Sequence, residues 1–392
     1  MSTAPLSHIR VLDLSRVLAG PWCAQILGDL GADVIKVENP KSGDDTRRWG
    51  PPFLTDEHGE AADAAYYLCA NRNKRSIAVN IADAEGQAVL KQLAAESDVV
   101  IENYKTGGLK KYGLDYDSLK AINPDLVYCS VTGFGQTGPW KNQPGYDFLI
   151  QAMGGLMSVT GEETPMKVGV PAVDLFTGVY AAGAVMAALL ARTKGQGGQH
   201  IDMALFDVQT AMLANQAANY FVSGKTPGRQ GNAHPNIVPY QDFPTSDGRI
   251  AVAVGNDGQF QAFAQALERP DWATDSRFMR NADRVANREV LVADITLTLS
   301  AEMTACWTDR LHAAGVPCGP ILALDQVFSH EQARARKLAF NLPMTGVGDA
   351  PMIANPMRLS KTGPQYLKAP PRFAEHTSEV LQERLGLTEN EI

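Results

Sequence analysis

The sequence predicts an α/β protein with a parallel, doubly wound sheet, followed by a smaller α+β region. Apolar, β-branched runs alternate with helical patterns between residues 9 and 131, which is typical of a parallel sheet built from β-α-β units. Beyond about residue 222 the order changes to a hairpin and amphipathic helices. A chain of 392 residues with 45% hydrophobic and 20% charged residues can bury more than one core.

The first β-α-β unit spans residues 9–37. Residues 9–14 have an apolar strand pattern, and Pro21 opens a helix because proline is favoured in the first helical turn. Gly31 ends this helix, and residues 34–37, in which three of four side chains are β-branched, form the second strand. Strand, helix and strand follow one another at the length of one β-α-β unit, so the two strands are expected to run parallel.

Three further strands are predicted at residues 76–80, 99–101 and 126–131, with Asp83 as the cap of a helix after the first of them. In doubly wound sheets, ligands bind beyond the carboxyl ends of the strands. The segments that follow the five predicted strands are therefore candidate ligand-binding loops: 15–21, 38–49, 80–83, 102–108 and 132–147.

The second half of the chain predicts a different architecture. Residues 240–243 and 250–254 flank a Ser-Asp-Gly turn and predict a hairpin, and amphipathic helices follow at about 259–267 and 304–314. After about residue 325 the sequence is irregular and rich in proline, and it ends in a short helix at 377–385. Such a tail can wrap another subunit or pack back on the first domain.

Charge and hydropathy make several classes of protein improbable. A net charge of -8 argues against nucleic-acid binding, which needs clustered Lys and Arg. The five scattered cysteines indicate reduced, mostly buried thiols. The N-terminus lacks a basic segment followed by an apolar one, so no secretion signal is expected. The apolar stretch 178–191 is shorter than the roughly 20 residues of a membrane span. A buried helix in a cytoplasmic protein is expected instead.

Several motifs have both a functional and a structural interpretation. Gly133–Gly138 matches G-x-G-x-x-G, but flanking prolines predict a loop there rather than the helix that a dinucleotide needs. Arg47 and Arg48 follow the second strand and could grip a carboxylate or phosphate, or simply form an internal ion pair. A basic set near strand ends suits a polyphosphate ligand or a solvated surface: Lys74, Arg75, Lys105, Lys110 and Lys111.

Asp174 is the most informative carboxylate. It lies three residues before Thr177, which we expect to cap a helix of small residues at 178–192. The helix dipole would favour the ionised form of Asp174. By itself, this setting indicates only an aspartate of a cap or turn.

A series of motifs runs in order over nearly the whole chain: segments 12–22, 27–38, 43–47, 73–77, 102–103, 132–139, 145–147, 174–178, 195–199 and 314–317. These motifs resemble those of class III CoA-transferases, the family of formyl-CoA transferase and carnitine CoA-transferase. Within that family, residues 43–52 and 237–241 are most similar to the glutarate-using subgroup.

The resemblance implies a Rossmann-like large domain from residues 1–222 and 325–392, a small α+β domain at 223–324, and an interlocked homodimer. It implies that Asp174 is the nucleophile, that CoA thioesters are substrates, and that no cofactor or metal is bound. The implied CoA-binding residues are Leu18, Ala19, Val79, Asn80, Ile81, Ala82, Asn103, Tyr104, Lys105, Lys111, Tyr146 and Asp147.

The expected reaction moves CoA from an acyl-CoA, such as succinyl-CoA, to a small dicarboxylic acid such as glutarate, through an aspartyl anhydride and an aspartyl-CoA thioester. The remote carboxylate of the acid needs a cation, and the candidates are Arg47, Arg48, Arg229 and His234. Two alternatives stay open. An α-methylacyl-CoA racemase typically has histidine where this chain has Tyr146, and the third possibility is a non-catalytic acyl-CoA-binding protein.

Overall fold

The computed structural model describes residues 4–392. Its strands are β1 Arg10–Asp13, β2 Asp33–Glu38, β3 Phe53–Thr55, β4 Ala61–Ala64, β5 Lys74–Ala78, β6 Val99–Glu102, β7 Val127–Thr132, β8 His200–Ala204, β9 Tyr240–Pro244, β10 Arg249–Ala253, β11 Cys318–Pro320, β12 Ala339–Met344 and β13 Gly348–Ile353.

The helices begin with α1 at Ala19–Asp29, where the chain turns back after β1. The remaining helices are α2 Ala65–Leu68, α3 Ala84–Ala95, α4 Tyr116–Lys120, α5 Asp147–Met153, α6 Leu156–Val159, α7 Ala172–Arg192, α8 Leu205–Met212, α9 Ala214–Ser223, α10 Asp257–Ala266, α11 Pro270–Thr274, α12 Asn281–Ala286, α13 Arg288–Leu299, α14 Thr304–Ala313, α15 Leu324–Ser329, α16 Glu331–Ala335 and α17 Thr377–Leu385.

The large sheet has six parallel strands in the order β5-β2-β1-β6-β7-β8. The five strands predicted in the first half of the chain are confirmed, and β8 is an addition that the sequence did not reveal. The direction of winding reverses between β1 and β6. The loops that leave these two strands therefore diverge and open a crevice, which is where ligands bind in such sheets.

Helices α1 and α7 pack together over one face of the sheet, and Gly178 allows their close approach. A Cβ atom at Gly178 would lie 2.8 Å from the Ala19 carbonyl oxygen and 2.9 Å from Trp22. Buried small residues of α7, such as Ala181 and Val185, complete the contact with the core. The amino end of α7 is thereby fixed against the amino end of α1.

The apolar segment 178–191 belongs to a longer helix than the sequence predicted. Helix α7 has 21 residues and a mean hydropathy of 1.7, so by length and composition it could cross a membrane, a test that core helices of soluble proteins also pass. Its predicted cap, Thr177, lies inside the helix, which begins at Ala172. The helix is therefore not too short for a span, contrary to the expectation from residues 178–191.

The chain divides into two compact units. Among the described residues, the first contains 4–156, 167–222 and 332–392, and the second contains 157–166 and 223–331. Residues 157–166 and 325–331, assigned above to the large domain, group with the second unit. In that unit the antiparallel strands β9, β10 and β11 pack on helices around buried aromatic residues, among them Phe260, Phe263 and Trp272.

The C-terminal region is more regular than its prolines predict. Strands β12 and β13 form an antiparallel hairpin whose buried residues, Leu342 and Met352 among them, make a small core of their own. Prolines 343 and 351 are accommodated because a two-stranded hairpin leaves outward-facing N–H positions. The final helix, Thr377–Leu385, and the loop at Gly133–Gly138 are as predicted.

Candidate active site

A cavity of about 460 Å³ opens at the carboxyl ends of β1, β6 and β7. It lies at the reversal point of the sheet. Four of the five candidate loops contribute to its wall, together with the start of α7. The lining residues are Arg16, Val17, Leu18, Ala19, Ile81, Asn103, Tyr104, Lys105, Thr106, Gly108, Lys111, Tyr112, Val131, Thr132, Gly133, Lys141, Asn142, Gln143, Pro144, Gly145, Tyr146, Asp174 and Leu205.

Asp174 lies in the first turn of α7 and faces this cavity. Burial, and secondly the negative charge of Asp147, raise the pKa of Asp174 to about 7. A carboxylate with a raised pKa is a stronger base and nucleophile once it is ionised. At neutral pH, Asp174 therefore combines a substantial ionised fraction with raised reactivity.

Asp147 holds the amino end of α7 in place. Its Oδ2 accepts the backbone N–H groups of Val173 at 2.8 Å and Asp174 at 3.2 Å, and its Oδ1 accepts a bond from Gln151 at 2.6 Å. The first N–H groups of a helix have no partner within the helix, so a carboxylate from another element stabilises this end. Asp147 thus positions the backbone of Asp174, while its charge raises the pKa of the neighbouring carboxyl group.

Two tyrosines belong to the surroundings of Asp174. Burial and the charge of Asp174 raise the pKa of Tyr66 to about 12, so its phenol stays protonated, and its ring packs edge-to-face on Trp49 at 5.3 Å. Sequence reasoning missed Tyr66, because an uncharged aromatic pair before a strand looks like core. Tyr146 is 65% exposed and lines the cavity.

The predicted CoA-binding residues are only partly brought together. Leu18, Ala19, Ile81, Asn103, Tyr104, Lys105, Lys111 and Tyr146 line the cavity with Asp174. Val79 is instead buried in the core, and the Asn80 side chain accepts the N–H of Ala82 at 3.1 Å. These three residues and Asp147 are not in the lining, so their contacts with CoA stay predictions.

The guanidinium group of Arg47 is buried and paired, so it is not free to bind a substrate anion. The residue is 7% exposed, and its guanidinium bonds Glu38 at 2.6 and 2.8 Å and Asp63 at 2.9 Å. Lys74, from the basic set, is fully buried and pairs with Asp13 at 3.0 Å. Arg47 thus forms the internal ion pair that was one of its two interpretations, whereas Lys74 is neither free for a polyphosphate nor on a solvated surface. Neither cation can turn to solvent without leaving buried carboxylates unpaired.

The other predicted cations lie in different settings. Arg75 pairs with three carboxylates, and Arg48 is exposed, with a bond to the Ser42 carbonyl oxygen at 2.8 Å. Arg229 and His234 belong to the second unit. Arg229 donates to the Glu162 and Glu163 carbonyl oxygens, and the His234 ring packs on Tyr240 at 5.2 Å.

Among residues 4–392, four cations line the cavity in a chain of net charge -8: Arg16, Lys105, Lys111 and Lys141. Arg16 and Lys141 were absent from the predicted site. Their position after strands β1 and β7 was the available signal, because both lie within candidate loops. A cavity with one carboxylate and several cations suits a polyanionic ligand that presents one reactive group to Asp174.

Comparison with known proteins supports this interpretation. A profile of CoA-transferase family III matches residues 6–377. The chain belongs to this family. It is 50% identical to the succinate–glutarate CoA-transferase of Agrobacterium fabrum, over 97% of this chain and 95% of that protein. It is 43% identical to the succinyl-CoA:glutarate CoA-transferase of Homo sapiens, over 97% and 86%.

A solved structure gives the same fold. The family member is similar to a CAIB/BAIF family protein from Brucella suis, with a TM-score of 0.85 and 49% identity over 97% of this chain and 99% of that one. The large parallel sheet and the membership of an enzyme family that transfers CoA are thereby established for this family member.

The pKa of Asp174 predicts the pH dependence of turnover. If turnover requires the ionised form of Asp174, kcat/KM should rise about tenfold per pH unit below pH 7 and level off above it. Asp147→Asn removes the like charge but keeps an oxygen that can accept the N–H groups of α7, so the rising limb should move to lower pH. Initial rates between pH 5 and 9 measure this. An unmoved limb in the variant would contradict the electrostatic role of Asp147.

Proposed function

We propose that this enzyme transfers CoA from succinyl-CoA to glutarate, with Asp174 as the nucleophile. The observation that carries the proposal is the position of Asp174: a half-buried carboxylate of raised pKa at the reversal point of the sheet, in a cavity with four cations among the described residues. The names of the relatives support the two acids.

The reaction begins when an Asp174 carboxylate oxygen attacks the thioester carbonyl carbon. The C–S bond breaks, CoA leaves as a thiolate, and a mixed succinyl-aspartyl anhydride is formed. The thiolate then attacks the aspartyl carbonyl carbon and releases succinate, which leaves an aspartyl-CoA thioester. Glutarate attacks that thioester, the thiolate departs again, and its attack on the glutaryl carbonyl releases glutaryl-CoA and the Asp174 carboxylate.

Each intermediate stays activated, so little acyl-transfer potential is lost at any step. Water is the competing nucleophile, because it would hydrolyse either aspartyl intermediate. Burial of Asp174 limits that access, and it is the same burial that raises the pKa of the carboxyl group. The protein therefore favours transfer over hydrolysis by the setting of one side chain.

The test is a labelled exchange. Succinyl-CoA mixed with isotope-labelled glutarate should yield labelled glutaryl-CoA and one succinate for each, whereas acetyl- and oxalyl-CoA should be poorer donors. A parallel reaction in deuterated water reports exchange at the α-carbon. Exchange without transfer would identify a racemase, and binding without either reaction would identify a non-catalytic acyl-CoA-binding protein.

We also propose that the enzyme works as an interlocked homodimer in the cytoplasm. Large apolar side chains remain exposed in the single chain, and a second copy would cover them: Phe176, Tyr180, Leu190, Phe221, Val222 and Leu367. The five free cysteines suit a reducing compartment. Light scattering should return about twice the 42.2 kDa of one chain, and a monomer at micromolar concentration would contradict the dimer.

A further inference from the structure

The turn between β1 and α1 contains a strained residue. Val17 has φ of 70°, in the left-handed region that β-branched side chains rarely adopt. It lines the cavity together with Leu18 and Ala19, its neighbours in the chain. Such conformations persist only where surrounding contacts impose them, and they concentrate at functional sites. The contacts that impose this one therefore bear on the shape of the active site.

A buried ion pair forms hydrogen bonds with the backbone of the strained turn at two positions. Lys36 Nζ lies 2.8 Å from Asp44 Oδ2 and donates to the Ser15 carbonyl oxygen at 3.0 Å. Asp44 Oδ1 accepts the N–H of Val17 at 3.4 Å. Both side chains of the pair are fully buried. The pair thus contacts the backbone immediately before Arg16 and immediately after it, which defines the orientation of the peptides around Val17.

Neighbouring contacts support the turn but do not replace the pair. The Asn103 side chain bonds the N–H and the carbonyl oxygen of Arg16, at 2.9 and 2.7 Å, although it is itself in the cavity wall. Lys74 donates to the Pro21 carbonyl oxygen at 3.0 Å, further along in α1. Asp13 accepts the N–H of Ser15 at 3.0 Å, at the start of the turn. Among these groups, Asp44 contacts Val17 itself, and it does so from outside the cavity wall.

Stability alone does not account for a buried pair at this position. Taking two charges out of water opposes folding, and well-packed apolar residues often serve as well or better. A charged pair can also orient the backbone, because each of its hydrogen bonds fixes the position of one backbone N–H or carbonyl group.

We propose that Lys36 and Asp44 are positioning residues that hold Val17 in its left-handed conformation, so that Leu18 and Ala19 present the CoA-binding wall of the cavity that contains Asp174. The inference rests on the proposed function, since it takes CoA to be the ligand of this cavity. Neither side chain lines the cavity. Their effect passes through the backbone of residues 15–19.

The experiment is a mutant cycle with CoA binding as the readout. Lys36→Met with Asp44→Asn removes both charges at once, so no unpaired charge remains in the core. In the protein with Val17, this change should weaken CoA binding tenfold or more by calorimetry. In a Val17→Gly background it should weaken binding less than threefold, because glycine adopts positive φ without being held.

A matched control removes another ion pair, Arg192 with Asp98, which lie 2.6 Å apart beside the amino end of β6. Arg192→Met with Asp98→Asn should leave the CoA dissociation constant unchanged. Equal weakening in the unmodified and Val17→Gly backgrounds would overturn the proposal, as would unchanged binding without the pair. Failure of the unmodified enzyme to make glutaryl-CoA would overturn the proposed function alone, because CoA binding is measured separately.

Discussion

Asp174→Asn should lower the rate of CoA transfer by about 10⁴-fold or more while leaving the dissociation constant for CoA nearly unchanged. Asparagine has the same shape but an amide that cannot attack a thioester or leave as a carboxylate. Rapid acid quench and mass spectrometry of the intact protein should show a covalent adduct on the unmodified enzyme after addition of succinyl-CoA, and none on the variant.

The same substitution should stabilise the fold at neutral pH. The pKa of Asp174 is about 7 in the folded protein, above the ordinary value of 3.8, so the folded form keeps a proton that the unfolded chain loses. The free energy of unfolding therefore falls as pH rises from 3.8, the ordinary pKa, to about 7, the pKa in the folded protein. The loss is on the order of 2–4 kcal/mol. Asp174→Asn removes that loss, so its gain in melting temperature should be larger at pH 8 than at pH 5.

A matched control is Asp325→Asn, which changes an exposed aspartate in the first turn of α15. It should alter neither transfer nor the pH dependence of melting. Transfer by Asp174→Asn at more than about a hundredth of the normal rate would contradict the role of Asp174 as nucleophile. A melting gain that is the same at both pH values would contradict the raised pKa.

Most strands of the sheet that carries the site could be predicted from the sequence, for a physical reason. Parallel strands buried on both faces carry mostly apolar, β-branched runs, so residues 99–101, and residues 34–37 in spite of Lys36, were recognisable without any tertiary information. The order of strands and loops then predicted candidate ligand-binding loops at the carboxyl ends of the strands. Strand β8 was missed because its polar residues, His200 and Asp202, interrupt the apolar run.

The boundaries of α7 could not be predicted because its first turn is held by a distant residue. Locally, Thr177 is a good cap, whereas Pro171, which occupies the cap position of α7, has no side chain that can accept a hydrogen bond. The carboxylate of Asp147, from another helix, supplies the missing acceptor and extends the helix back to Ala172. The pKa of Asp174 has the same origin, since both its burial and its charged neighbour arise from tertiary packing.

Cations were the least predictable feature, because a sequence does not show which carboxylate each one meets. Arg47 and Arg48 are adjacent and chemically identical. The first points inward to Glu38 and Asp63, and the second has a side chain that is 60% exposed. The partner Asp63 lies on β4, within a small hairpin with no distinctive sequence pattern.

These two arginines should respond very differently to the same substitution. Arg47→Met should lower the free energy of unfolding by about 3–5 kcal/mol, because it leaves Glu38 and Asp63 buried without a counter-charge. Arg48→Met removes a long contact of 3.7 Å with Asp45 and should change stability by no more than about 0.5 kcal/mol. Urea unfolding followed by circular dichroism measures both.

The Arg47→Met variant also tests whether Arg47 binds a carboxylate of the acceptor acid. Methionine at position 47 fills much of the same volume but cannot donate to Glu38 or to the Tyr67 hydroxyl group, which lies 2.7 Å from the guanidinium. Restoring balance by adding Glu38→Gln to Arg47→Met should recover part of the lost stability, because one buried charge is then removed. A normally stable Arg47→Met enzyme with a raised KM for glutarate alone would instead place Arg47 at the substrate.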